Sequence, residues 1–283
     1  MLQQHQIDQF TAAGYTVVPG LLDGDQVAQL LAAIERIAGG NTRAEHDAER
    51  MEMEPDQSPD GTAVRRIYEP CTHYPEFRAL AESPAVLDRV AQLLGPDLTY
   101  HYSKINMKPA AVGSVVEWHQ DLSYYPLTNR DSLAVLFYLD DTDEENGCLQ
   151  MLPGRHDGPL LQHDRDELFR GMVTEQVEAA AAEPASGVAG TAIFMHCMTP
   201  HASVANRSTR NRRTLILSYR AADAYPIYYG SQTDKVEAHA RHIRGIPSAV
   251  ARFTMSEFPV PRYPRRIASL YDLQESSKQE QAT

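Results

Sequence analysis

From Asp25 the apolar positions Val27, Leu30, Leu31, Ile34 and Ile37 recur at three- and four-residue spacing, which predicts one face of a helix stopped by Gly39-Gly40. A second helix is predicted from Ser83-Pro84, a cap followed by a first-turn proline. Val86, Leu87, Val90, Leu93 and Leu94 form its apolar side and Gly95-Pro96 its end. Between the two, Asn41 to Thr62 is charged and short of large apolar groups apart from Met51 and Met53, the pattern of a mobile surface loop. The first hundred residues therefore read as mostly helical, a buttress for the remainder of the chain.

After Pro96 the period changes. Short stretches rich in β-branched and aromatic residues predict strands at Leu98–Met107, Val115–His119, Ser132–Leu139, Cys148–Leu152, Thr191–Phe194 and Thr214–Tyr219. Asn146-Gly147, Pro153-Gly154, Gly187, Gly190 and Pro200 punctuate them. Many short strands without alternating helices favour an antiparallel barrel or jelly roll over a βαβ fold. The alanine-rich segment Val177 to Ala185 reads as a short helix or a linker, and the tail from Leu273 onward, ending SSKQEQAT, as disordered. One domain is expected over 1–272: a helical part to about 97, a mainly β core over about 98–222 and an extension over 223–272.

Composition narrows the class without choosing the chemistry. The chain has 283 residues with 26 Lys+Arg against 38 Asp+Glu, a net charge of −12 that argues against nucleic acid as a partner. Its longest apolar run, Leu133 to Leu139, is far short of the roughly 20 residues a membrane-spanning helix needs. The N-terminal MLQQHQIDQF has neither an apolar segment nor a basic flank of the secretory kind. Cys71, Cys148 and Cys197 are an odd number, far apart and without a CxxC pair. A reduced, cytoplasmic location is therefore expected.

The chemistry concentrates in Glu117-Trp118-His119-Gln120-Asp121. At the end of a strand, side chains at i and i+2 share a face, so an imidazole and a carboxylate can converge on one metal. An HxD triplet occurs often by chance, and a turn histidine beside a solvated aspartate is its bland alternative. A third candidate, His201, stands in Pro200-His201-Ala202-Ser203-Val204-Ala205-Asn206-Arg207-Ser208, just ahead of Arg212-Arg213 and the apolar strand from Thr214. Two histidines and a carboxylate on one face of an iron leave positions open, the arrangement of non-haem Fe(II) oxygenases.

HxD, then NGCLxMLPGxH at Asn146 to His156, then HxSxxNxSxxxR from His201 to Arg212, resembles the phytanoyl-CoA dioxygenase family of Fe(II)/2-oxoglutarate oxygenases. The likeness runs from about Tyr100 to Arg220. It implies a double-stranded β-helix, a cupin-like jelly roll with helices packed outside. It also implies iron ligands at His119, Asp121 and His201. Arg212, eleven residues after the distal histidine, and Ser203 would hold the far carboxylate of 2-oxoglutarate, and Lys104 would line the cosubstrate pocket. Fe(II), 2-oxoglutarate and O₂ are the implied cofactors and cosubstrates, with ascorbate as an optional reductant. A guanidinium suits a carboxylate because it offers two parallel hydrogen bonds. Arg210 and Arg213 remain alternatives, although Arg213 alternates to the face opposite Arg212. A solvent-facing lysine on an edge strand is the alternative reading of Lys104.

Other residues weigh less. His196, five before His201, competes as distal ligand, yet the serine and asparagine pattern begins at His201. His156 reads as structural, Tyr124 and Tyr125 as neighbours of the substrate mouth, and Arg65 and Arg66 as solvated charges that could reach the pocket. Asn41–Thr62 and Asp157–Arg170 are expected to order over the site when ligands bind. The implied reaction is hydroxylation of an unactivated C–H bond of a small molecule with release of succinate and carbon dioxide, by a monomer or homodimer. Tyr225-Pro226-Ile227-Tyr228-Tyr229 leans towards an apolar natural-product intermediate as substrate. A non-catalytic cupin-like binder and a metal-dependent hydrolase or isomerase are the competing classes.

Overall fold

A computed structural model describes residues 1–264 and 270–281. The chain runs α1 (Gln4–Ala13), β1 (Tyr15–Val18), α2 (Gly24–Ala38), β2 (Met51–Met53), β3 (Val64–Tyr68), α3 (Pro70–His73), α4 (Pro75–Ala81) and α5 (Pro84–Leu94). It continues with β4 (Leu98–Lys108), β5 (Val116–His119), β6 (Ser132–Tyr138), β7 (Leu149–Met151), the short pair β8 (Asp164–Arg165) and β9 (Leu168–Phe169), and β10 (Glu183–Ala185). Then come β11 (Ala192–His196), β12 (His201–Ser203), β13 (Arg212–Ala221), α6 (Ser231–Glu237), β14 (Arg241–Arg244) and α7 (Leu270–Gln281).

Two antiparallel sheets face each other in a jelly roll. The larger has the order β1-β11-β6-β13-β4-β3-β2, with β14 also on β4, and the smaller the order β10-β7-β12-β5. The uninterrupted apolar run of β6 is explained by its position, because both of its faces are covered. Leu133, Val135 and Phe137 pack outward with Leu30, Ile34, Val86 and Val90 of the helices. Ala134, Leu136 and Tyr138 pack inward with Leu149, Met151 and Ile216.

The predicted core strands and both predicted helices are present, and the sequence expectation fails at the edges. The N-terminal third contributes three strands, β1, β2 and β3, to the larger sheet. Met51 and Met53 are buried there, so Asn41–Thr62 is only partly a surface loop. Two arginines within Val64–Tyr68 hid a strand whose apolar members are few. The tail expected to be disordered from Leu273 is instead part of α7 as far as Gln281, with Leu273, Gln274 and Ser277 buried; its last two residues lie outside the described residues. Gln274 donates to the Gly171 carbonyl and Lys278 pairs with Glu117, so tertiary contacts supply what its polar sequence lacks. Val177–Ala185 splits into a single 3₁₀ turn, Ala179–Ala181, and β10 on β7.

Candidate active site

His119 ends β5 and His201 begins β12, and the two are direct cross-strand partners with ring centroids 4.1 Å apart. Asp121 opens a 3₁₀ turn rather than continuing the strand. The i, i+2 argument nevertheless holds, because Gln120 keeps an extended backbone at φ −118°, ψ 129° before the chain turns. The Nδ1 atoms of the two histidines face backbone carbonyls, His119 at 2.8 Å from Glu117 O and His201 at 3.0 Å from Thr199 O. Their Nε2 atoms lie 3.7 and 3.9 Å from Asp121 Oδ1. These gaps exceed a hydrogen bond, yet two donors at about 2.1 Å from one ion can be up to about 4.2 Å apart. Among the described residues these three are the one group of His, Cys, Asp and Glu with ligand atoms close enough to share an ion. Burial holds the His119 imidazole well below the ordinary histidine range, His201 depressing it further, and lowers that of His201 against the opposing pull of Asp121, so both shifts favour the neutral form that can donate a lone pair.

His196 is not in this group. It stands at the far end of β11, its ring against Phe10 and His156, and its Nδ1 accepts from Met198 N–H. His156 is likewise buried in that packing, beside Gly14.

The larger sheet supplies the cations. Arg212, 3% exposed, shares the inward parity of Thr214 and Ile216 on β13, and its guanidinium stands 5.7 Å from the ring of Tyr138. Its Nε is buried without a hydrogen-bond partner. Arg213 points the other way and is spent on Asp140, with Nε and Nη2 at 3.0 and 2.7 Å from the two carboxylate oxygens. Arg210 is exposed and paired with Asp143. Of the three arginines, Arg212 alone faces the interior of the jelly roll with a donor to spare.

Lys104 is opposite Ile216 on β13 and Tyr68 on β3. Its strand is therefore central, and the edge-strand alternative does not hold. No hydrogen bond or ion pair to its ammonium is formed among the described residues. Burial pushes it down to about 8, with Asp121 acting in the opposite sense and Arg66 in the same sense as burial. Arg66, read as solvated from the sequence, is buried: Nε donates to Asn106 at 2.9 Å and Nη1 to Glu52 at 2.9 Å, while Tyr68 donates to the same carboxylate. Tyr102 and Tyr125 line a small cavity together with Asp121, and Tyr124 packs edge-on against His119. Tyr225 and Tyr228 are exposed, the latter 69%, and do not line the site. The polar ring of Arg66, Asn106 and Tyr68 was missed because β3 was missed.

The model of the phytanoyl-CoA dioxygenase family matches residues 10–214. The chain belongs to that family. Among relatives of this dioxygenase, a probable alpha-ketoglutarate-dependent hypophosphite dioxygenase from Stutzerimonas stutzeri is 33% identical over 221 residues, 76% of this chain and 77% of its own. An ectoine dioxygenase from Bordetella parapertussis is 25% identical over 241 residues, 78% of this chain and 76% of its own. Of solved structures, EctD from S. alaskensis with 2-oxoglutarate and 5-hydroxyectoine matches with a TM-score of 0.65 at 25% identity, covering 78% of this chain and 77% of that one.

Proposed function

We propose that this dioxygenase hydroxylates an unactivated C–H bond of a small polar substrate. It would hold iron(II) with His119, Asp121 and His201 and the far carboxylate of 2-oxoglutarate with Arg212 and Ser203. The observation that carries the reading is the pairing of two features on one interior: three convergent donors at the smaller sheet and, on the larger, a buried guanidinium whose Nε has no hydrogen-bond partner. Iron with 2-oxoglutarate supplies the oxidant from O₂, releasing succinate and carbon dioxide. The chain's own work is to bind and orient. Neutral imidazoles present Nε2 because backbone carbonyls face Nδ1, and the planar guanidinium fixes a carboxylate along two directions. Ser203, buried two residues after His201 on β12, adds a hydroxyl to the same carboxylate.

Lys104 lies four positions along β4 from Lys108, the partner of Arg212. At about 3.3 Å per residue that is roughly 13 Å, so Lys104 serves the Asp121 end of the pocket rather than the far carboxylate. The cavity at Asp121 mixes Leu122, Leu127 and Leu133 with His101, Tyr102 and Tyr125, and it is the buried charge of Lys104, between Asp121 and Arg66, that favours a small polar substrate over an apolar natural-product intermediate. The relatives' names, hypophosphite and ectoine dioxygenase, support the same choice. A carboxylate at Asp121 occupies the place a halide would need, which favours oxygen insertion or desaturation over halogenation.

Succinate formation that requires both iron(II) and 2-oxoglutarate, with or without ascorbate, is the expected result. No succinate in the presence of all of them would sink the proposal and leave the binder or hydrolase readings.

A further inference from the structure

Gln120 sits between His119 and Asp121, two of the proposed iron ligands, and it is 0% exposed. Its side chain is held from both ends: Nε2 donates to Met198 O at 2.7 Å, and Oε1 accepts from Leu161 N–H at 2.7 Å. Its carbonyl accepts from Ser123 Oγ at 2.7 Å. Its own N–H donates to His163 Nε2 at 3.2 Å. His163, buried and stacked on Phe169, comes from the loop after the Arg155–Asp157 turn, and its Nδ1 faces Leu161 O at 2.7 Å. That carbonyl contact fixes the tautomer: with Nδ1 as donor, Nε2 is left to accept. Burial pushes this imidazole down to about 4, which keeps the acceptor free at neutral pH.

The extended conformation of Gln120 is what sends Asp121 to the same side as His119. In the smaller sheet β5 pairs only with β12, so at this point the ladder offers Gln120 N–H no partner, and a histidine from a distant loop takes that place. Leu161 and His163 grip the side chain and the backbone of one residue, and Met198 ties that residue to the segment leading into His201.

We infer that His163 is a positioning residue for the metal centre: by accepting the Gln120 N–H it holds the backbone between His119 and Asp121 in the geometry that lets both reach one ion. The inference rests on the assignment of His119, Asp121 and His201 as iron ligands. It also gives the 158–175 loop a part in the chemistry without contact to substrate, since release of the loop frees the HxD turn.

The two amide isosteres of histidine separate this role from packing. Glutamine places its Oε1 near the position of Nε2 and can accept from Gln120 N–H. Asparagine places its amide near Nδ1, keeping the bond to Leu161 O but not reaching Gln120. The test is titration of the metal-free full-length chain with iron(II) alone, beside thermal melts, for wild type, His163→Gln, His163→Asn and Asp121→Ala. His163→Asn should weaken iron(II) affinity by about tenfold or more, as lost outer partners of metal ligands do, while His163→Gln stays within about threefold. The two variants should melt at similar temperatures. Equal iron affinity in the two variants, whether both retained or both lost, would overturn the inference. If Asp121→Ala also leaves iron binding intact, the ligand assignment fails with it; if Asp121→Ala loses iron while His163→Asn does not, only the role of His163 falls.

Discussion

The two sheets contribute to one site by opposite means. The larger sheet is built around the long strands β4, β6 and β13, and it carries Arg212 at the start of the ten-residue β13, which β4 pairs along its whole length and β6 over Thr214–Arg220. The smaller sheet has strands of three or four residues, and its candidate ligands stand at strand ends where the ladder stops. A buried cation needs a rigid, dry surround, which β4 beside it and the sheet interior around it provide. Three ligands that must converge from two strands and a turn need local tethers instead, which side chains such as Gln120, His163 and Lys108 provide. The larger sheet should therefore tolerate little change in charge and the smaller little change in hydrogen bonding.

The strongest break lies in the smaller sheet. His119→Ala, Asp121→Ala and His201→Ala should each lower succinate formation by more than about 100-fold and lose iron, with little change in far-ultraviolet circular dichroism. His196→Ala should keep most of the activity; the reverse result would move the distal ligand to His196.

Next comes the contrast between neighbours on the larger sheet. Arg212→Ala should raise the KM for 2-oxoglutarate by roughly 30- to 1000-fold, the equivalent of about 2–4 kcal/mol, and Arg212→Lys should remain impaired because an ammonium lacks the fork. Arg213→Ala should leave that KM within about threefold and cost only about 1 kcal/mol of stability through its partly exposed pair with Asp140. Titrations that assign the loss to Arg213 would exchange the two roles.

Lys108 joins the sheets. Its Nζ donates to Ser114 O at 2.5 Å and Val204 O at 2.6 Å, in a slot where a Cβ on Gly147 would stand 2.5 Å from Val204 O. Gly147 also has φ +86°, so glycine is required twice over there. Lys108→Met leaves these carbonyls unpaired and should cost about 2–3 kcal/mol in chemical denaturation, with a smaller effect on the KM for 2-oxoglutarate. An unchanged denaturation midpoint would show that the sheets are joined by apolar packing alone.

The smallest effect is on pH. Burial, and then His156 beside it, pushes His196 down to about 4. The unfolded chain takes up this proton near 6.5 and the folded protein only near 4, so acid favours the unfolded state across that interval. The stabilisation from neutral His196 is complete above about pH 6.5 and declines towards pH 4. Melting temperature should fall over this range, with a shallower slope in His196→Leu; parallel slopes would refute the assignment.

Legibility followed the physics of each signal. The helix of Val27 to Ile37 and the strand of Leu133 to Leu139 were readable because burial writes periodicity or continuous apolarity into local sequence. His119, Asp121 and His201 were readable as a set because the i, i+2 spacing and the serine, asparagine and arginine pattern after His201 are local. Arg212 was separable from Arg213 by parity, and the structure adds that Asp140 has taken Arg213. Strand β3 escaped because Arg65 and Arg66 occupy positions that usually carry apolar groups, and their charges are accommodated only once Glu52 and Asn106 are brought beside Arg66.

By itself the sequence determined the fold class, the family and the group of donor residues, all properties carried by short-range spacing along one chain. Tertiary structure alone decided that Lys104 stands on a central strand, that Arg66 is buried against Asn106 and Glu52, that the described part of the tail is a docked helix and that a histidine 43 residues downstream accepts from the HxD turn. Each of these depends on what a distant segment places next to a polar group. Hydrogen bonding and burial are settled by neighbours in space, and the cost of an unpaired buried donor appears in the sequence of neither partner.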